Sequence, residues 1–174
     1  MIPSLVHQAT IYVTSDPLLV AALLVGCPLF AWLGWLAGRR LGWSTAPAAA
    51  MGAGLALALA VTLCRLPPQP YGPEVTPIAR PFCVLNGFSL VGGNELLNAL
   101  MLTPFAFFAV LATRNPLAVM LVSITLSGLI ELVQGVTGAG ICETQDFLNN
   151  SAGAIAAAIA GWAVTALNRQ PAEV

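Results

Sequence analysis

The polar residues that could bind a ligand or catalyse a reaction are concentrated in and between two neighbouring apolar runs near the carboxyl end of the chain. The first run carries Glu131 and Gln134, the turn after it supplies Glu143 and Asp146, and the second run contains Asn150. Carboxyl and amide groups donate or accept hydrogen bonds, and a carboxylate can also move a proton. Within a membrane such groups are costly, so each of them needs a partner or a function.

The composition indicates that these groups do lie in a membrane. Apolar residues make up 58% of the 174 residues and charged residues only 7%, with a mean hydropathy of +0.87. Soluble domains are typically about 25% charged, so the composition excludes an ordinary soluble protein. The six arginines, with no lysine, form no basic cluster. Nucleic-acid binding is therefore excluded as well.

Five apolar runs predict an all-α bundle of about five transmembrane helices, since roughly 20 apolar residues cross a bilayer. The runs are 17–37, 46–64, 94–113, 117–136 and 146–167. We interpret residues 1–174 as a single polytopic membrane domain with membrane lipids as its surroundings. The one long connection, 65–93, carries six prolines in its first half, which predict an extended external loop. Its second half is apolar enough to lie on the membrane surface.

The arginines predict how the chain is oriented in the cell membrane. They divide four to two between the two sides of the predicted bundle: Arg39, Arg40, Arg114 and Arg169 on one side, Arg65 and Arg80 on the other. Because arginine is enriched in cytoplasmic loops, the larger set predicts an external amino terminus and a cytoplasmic carboxyl terminus.

The four cysteines favour a disulfide rather than a metal site. Cys83 and Cys142 fall in separate external loops, where an oxidising exterior permits a disulfide, but Cys64 is a competing partner. Cys27 lies deep in the first helix, where we expect it only to pack. With no CxxC pair and a single His7, the sequence predicts neither a metal site nor a cofactor.

The polar residues of the fourth predicted helix share one face. Ser123, Ser127, Glu131 and Gln134 are spaced i, i+4, i+8 and i+11, which places them in one stripe that should point inward. A protonated Glu131 could bond structurally to Gln134 or to an asparagine. We expect Asp146 to be the N-cap of the last helix.

The third predicted helix adds further polar groups. Its first turns carry Asn94, Glu95 and Asn98, and Pro104 interrupts it, which should free the Leu100 carbonyl. Since Asn150 lies on a small-residue face of the last helix, we expect it to hydrogen-bond across to another helix. Glu131, Asn98 and Asn150 should then converge around an outward-opening pocket.

Small residues mark the predicted helix-packing faces. Gly153 and Gly161 lie on one face of the last helix, and Gly34 and Gly38 have the spacing that permits two helices to approach closely. The Gly34–Gly38 face could serve a homodimer.

Three blocks of residues resemble the VanZ-like family of membrane proteins. They are Asn98-x3-Leu102-x-Pro104, Glu131-x-x-Gln134 and Asp146-x3-Asn150-x2-Gly153, in the family's order and spacing, over residues 94–165. Asn94, Leu102 and Ala106 stand where the family usually has Asp, Phe and Gly. An arginine frequent before the last helix is missing, and Glu143 lies where a second acid is often found.

The resemblance implies an integral membrane protein of the cell envelope, related to accessory factors of glycopeptide resistance, teicoplanin in particular. On this interpretation the outer polar site binds or shields a cell-wall or lipid-linked ligand, or a partner membrane protein. Two alternatives stay open. One is an intramembrane enzyme acting on a lipid-linked substrate, with Glu131 as general base and Asp146 or Glu143 as its partner. The other is a lipid or small-solute transporter acting as an oligomer.

Overall fold

Five helical segments are long and apolar enough to cross a membrane, which confirms the prediction of an all-α membrane bundle. The computed structural model describes residues 16–64 and 82–168. Its elements, in chain order, are α1 (Pro17–Leu41), α2 (Thr45–Leu63), β1 (Cys83–Val84), α3 (Gly93–Met101), α4 (Thr103–Thr113), α5 (Pro116–Thr137), β2 (Cys142–Glu143) and α6 (Thr144–Leu167). Helices α3 and α4 together form one crossing, Gly93–Thr113.

Some sequence predictions fall outside the described residues. They concern the proline-rich first half of the long connection, together with Arg65, Arg80 and Arg169.

Local signals in the sequence account for where the helices begin and end. Asp16 caps α1, its Oδ1 accepting hydrogen bonds from the amides of Leu18 at 2.9 Å and Leu19 at 3.2 Å. Asn115 caps α5 in the same way, through the amide of Ala118 at 3.1 Å. Each of these helices has proline at its first position and ends at a glycine in the left-handed conformation, φ 72° at Gly42 and 73° at Gly138. These are the residues that helix ends favour.

The third crossing is broken at Leu102, as Pro104 predicts. Proline has no amide hydrogen, so the carbonyl of Leu100 loses its helical donor. The hydroxyl of Thr103 takes that place and donates to Leu100 O at 2.7 Å. The break divides the crossing into the short helix α3 and the longer α4.

Glycines allow the helices to touch backbone to backbone. A Cβ atom at Gly34 would collide with the carbonyl oxygen of Ala48, and one at Gly153 with that of Ala99. At Gly161 a Cβ would lie 2.9 Å from the oxygen of Phe107. The packing roles predicted for these glycines are therefore confirmed. Helix α2 of the same chain covers the Gly34–Gly38 face and buries both glycines. A homodimer stays a prediction.

The two ends of the bundle differ in chemistry. At one end the α1–α2 turn meets the α4–α5 turn, where the Ser44 amide donates to Ala112 O at 3.3 Å. We call this the arginine end, because Arg39, Arg40 and Arg114 adjoin these turns. At the opposite end β1 pairs in parallel with β2, and a disulfide joins Cys83 to Cys142 with a Cα–Cα distance of 4.6 Å. We call this the disulfide end.

The disulfide settles the choice that the sequence left open. Cys83 pairs with Cys142, whereas Cys64 and Cys27 are free thiols. Helix α4 lies at the centre of the buried core, whose largest fully enclosed apolar side chains are Leu102, Val110 and Ile130. This core holds α5 and α6 in place beside each other, and the polar residues at the disulfide end of these two helices form the candidate site.

Candidate functional site

Glu131 lies on α5 near the disulfide end, with only 4% of its surface exposed. Its Oε2 accepts a hydrogen bond from the backbone amide of Glu143 at 3.0 Å. The turn after α5 brings the chain back so that this amide faces the carboxyl group. The buried carboxyl is therefore held by the main chain of β2 rather than by Gln134 or an asparagine.

The polar stripe on α5 points inward, as its spacing predicts. Ser123 and Ser127 are fully buried, like Glu131. The Ser127 hydroxyl donates to Phe147 O at 3.1 Å, which ties α5 to α6. Gln134, at the end of the stripe, is partly exposed and donates from Nε2 to Thr62 O at 3.2 Å. It joins α5 to the end of α2 instead of bonding to Glu131.

Three carboxyl groups lie near one another where α5 meets the start of α6. Those of Glu143 and Asp146 lie close enough to Glu131 to interact with it electrostatically. Within residues 16–64 and 82–168, no group of three or more histidine, cysteine, aspartate or glutamate side chains has an arrangement that could hold a metal ion. The cluster thus presents several carboxyl oxygens as hydrogen-bond acceptors.

The prediction that Asp146 is the N-cap of the last helix is wrong. Helix α6 begins at Thr144, its N-cap residue is Glu143, and Asp146 lies within the first turn. A carboxylate in that turn still meets the positive end of the helix dipole. The helix begins earlier than predicted, and a residue distant in sequence accepts a hydrogen bond from one of its first amides, that of Gln145.

That residue is Asn86, which sequence reasoning missed. Its Oδ1 accepts from the Gln145 amide at 2.9 Å, and its Nδ2 donates to Glu143 Oε2 at 2.8 Å. The main chain of Asn86 also bonds to the Thr144 hydroxyl, donating to it at 2.8 Å and accepting from it at 2.6 Å. Asn86 therefore caps α6 from another segment and orients the Glu143 carboxyl group. The dipeptide Asn86-Gly87 is a turn signal, but nothing local points to a partner so far along the chain.

A groove of about 380 Å³ opens beside the three carboxyl groups. It runs between α5 and the start of α6, and its lining consists of Thr125, Gly128, Leu129, Glu131, Leu132, Glu143, Thr144 and Phe147. Leu129 and Leu132 are about half exposed on the surface that would face lipid. The groove thus combines a largely apolar lining with two carboxyl groups and two threonine hydroxyls near the disulfide end.

The remaining predicted residues do not join this groove. Asn98 and Asn150 are absent from its lining, so the expected convergence of Glu131, Asn98 and Asn150 on one pocket is wrong. Both asparagines keep buried amide atoms with no hydrogen-bond partner among the described residues, so the bond expected from Asn150 is not formed. Asn94 is exposed on α3, and the Glu95 side chain folds back over Gly92. Helix α3 packs against α6 through Ala99 and Gly153, and neither of these residues lines the groove.

The VanZ/LLP1 family model matches residues 73–165, slightly more than half of the chain. The match includes the groove, the disulfide and the segment that carries Asn86. Neither a curated protein nor a solved structure matches the chain.

Proposed function

The chain belongs to the VanZ/LLP1 family of membrane proteins, and we propose that it binds an amphiphilic, lipid-linked ligand of the cell envelope without transforming it. The ligand lies in the groove between α5 and α6. By shielding a cell-wall precursor or a related lipid-linked molecule, the protein contributes to glycopeptide resistance, teicoplanin in particular, as the resemblance described above implies.

The disulfide end faces outward in this proposal. Disulfides persist in oxidising compartments, and cytoplasmic loops are rich in arginine. The disulfide and the described arginines lie at opposite ends of the bundle. Both signals thus support an external amino terminus and a cytoplasmic carboxyl terminus, which places the groove in the outer leaflet.

One observation carries the proposal: a buried carboxyl group, fixed by a backbone amide, lines a largely apolar groove. An apolar chain fits against Leu129, Leu132 and Phe147, where it replaces lipid without exposing apolar surface to water. The carboxyl groups of Glu131 and Glu143 accept hydrogen bonds from hydroxyl, amide or amine groups at the polar end of the ligand.

Binding explains the groove better than catalysis does. Its described lining contains no histidine, lysine or cysteine that could work with Glu131. The other carboxyl group in the lining, that of Glu143, is held by the Nδ2 of Asn86. One carboxyl oxygen of Glu131 also already accepts a hydrogen bond from the Glu143 amide. An enzyme that uses Glu131 as general base would turn over a lipid-linked substrate in purified form and lose that turnover in Glu131→Gln.

Glu131→Gln should remove the protective function while preserving the fold. Glutamine keeps the size of the side chain and an oxygen for the Glu143 amide, but it cannot ionise, and an amide donor replaces one acceptor oxygen. In a susceptible host that expresses the protein, we expect the teicoplanin concentration that stops growth to fall to the value of cells without it.

Asp16→Asn serves as the matched control. It makes the same chemical change at the start of α1, away from the groove, and asparagine is an equally good cap. Protein amount and melting temperature are measured for both variants. Full protection by a folded, normally expressed Glu131→Gln protein contradicts the proposal.

A further inference from the structure

A layer of buried polar side chains, separate from the groove, lacks hydrogen-bond partners. Seven of its nitrogen and oxygen atoms are buried and unpaired among the described residues. They belong to Asn98, Ser123, Asn149, Asn150 and Ser151, which we call the polar layer. Asn149 and Asn150 are completely enclosed, and neither amide forms a single bond with the described residues.

The serines of the layer lie at one depth. Ser127 of α5 bonds to Phe147 O of α6, which fixes the register of these antiparallel neighbours. One helical turn further from the disulfide end, Ser123 on α5 is level with Ser151 on α6.

The asparagines lie at nearly the same depth as the serines, because Asn149 and Asn150 directly precede Ser151 on α6. Helices α3 and α6 both run away from the disulfide end, and Gly153 rests against the carbonyl of Ala99. Asn98, next to Ala99, is therefore within about one turn of Asn150. Three helices thus contribute to a layer about two turns from Glu131.

An unpaired amide in an apolar interior costs several kcal/mol when nothing replaces its bonds to water. Two adjacent amides and two hydroxyls left in that state would oppose the close packing of α3, α5 and α6. Buried groups of this kind normally bond to enclosed water or to a ligand.

We propose that the polar layer is a second binding site, which takes small uncharged groups able to both donate and accept hydrogen bonds. Water has this chemistry, and so does the hydroxyl or amide part of a membrane amphiphile. The layer has no described charged side chain of its own, so an ionic group finds no counter-charge there. This inference does not depend on a ligand in the Glu131 groove.

Solid-state NMR on the intact protein shows whether water or a membrane amphiphile occupies the polar layer. The protein carries ¹⁵N-asparagine and is reconstituted in bilayers of deuterated lipid. Magnetisation that passes from water to the side-chain nitrogens of Asn149 and Asn150 within milliseconds identifies water. Transfer from the aliphatic protons of a co-purified molecule identifies an amphiphile. If exposed Asn94 receives magnetisation from water and the two buried amides receive none from either source, the proposal is overturned.

Asn150→Leu provides an independent test by thermal unfolding. Leucine has the branched shape and the number of side-chain heavy atoms of asparagine, so it removes the polar group without leaving a cavity. If the layer is occupied, the variant loses those bonds and its melting temperature falls by roughly 3–8 °C. An empty layer gives the opposite result, since an apolar replacement of an unpaired amide raises the melting temperature. The control is Asn168→Leu, at an exposed position at the end of α6, which should change the melting temperature little.

Discussion

Replacing Cys83 and Cys142 together by serine should lower the free energy of unfolding by about 4 kcal/mol, as expected for a cross-link of this span. The disulfide joins residues that are 59 positions apart, so its loss gives the unfolded chain a large gain in conformational freedom. The bond also holds β1 against β2, and β2 supplies the Glu143 amide that binds Glu131. The change should therefore loosen the groove as well as destabilise the fold.

Denaturant unfolding of the purified protein in detergent micelles measures this effect. Reduction of the wild-type protein should reproduce the behaviour of the double serine variant. Cys64→Ser is the matched control, because Cys64 is a free thiol in the structure. The disulfide contributes nothing to stability if the oxidised, reduced and doubly substituted proteins all unfold at the same denaturant concentration.

Gly153→Ala should cause a second large loss, at the contact between α3 and α6. The new methyl group would occupy the position of the Ala99 carbonyl oxygen, which belongs to the backbone and cannot turn aside. The two helices must separate, and overpacking of this kind costs about 3 kcal/mol. We expect a lower melting temperature and a weaker yield of folded protein.

Gly26→Ala is the natural comparison for this variant. A Cβ at Gly26 would meet Ala56 Cβ at 3.8 Å, an ordinary contact, and alanine favours helix over glycine by about 1 kcal/mol. Gly26→Ala should therefore be neutral or stabilising. A Gly153→Ala protein as stable as Gly26→Ala would show that α3 and α6 do not pack through this contact.

The helices could be predicted from the sequence because their signals are local. Apolar runs of sufficient length, the caps Asp16 and Asn115 and the terminal glycines all act within a few residues. The break near Pro104 follows from the missing amide of proline. Predicted boundaries differ from the observed ones by only a few residues, where polar turns of helix continue beyond the apolar run, as at Thr144.

The site could be predicted only in part, because its decisive contacts are not local. The inward stripe of Ser123, Ser127 and Glu131 follows from helical spacing. The cap that Asn86 provides to α6 does not, since 58 or more residues separate the partners. Among the residues near the start of α6, Asp146 is the best local candidate for the cap, which is why the sequence predicts it there.

The separation of the polar residues into two sites depends on packing in the same way. Spacing shows that Asn150 faces a neighbouring helix, but not which one. The contact of Gly153 with Ala99 sets α3 against α6, and Asn150 is not part of the groove lining that contains Glu131. Two polar regions therefore replace the single predicted pocket.

Photochemical capture tests most directly whether the Glu131 groove holds a ligand. A photoreactive amino acid at Leu132, in the groove, is compared with one at Leu148, near the same end of the bundle but outside the groove lining. Irradiation of cells followed by mass spectrometry should reveal one discrete envelope amphiphile attached at position 132, absent at 148 and lost when Glu131→Gln is added. The same mixture of bulk lipids at both positions, unchanged by Glu131→Gln, would contradict a ligand site in the groove.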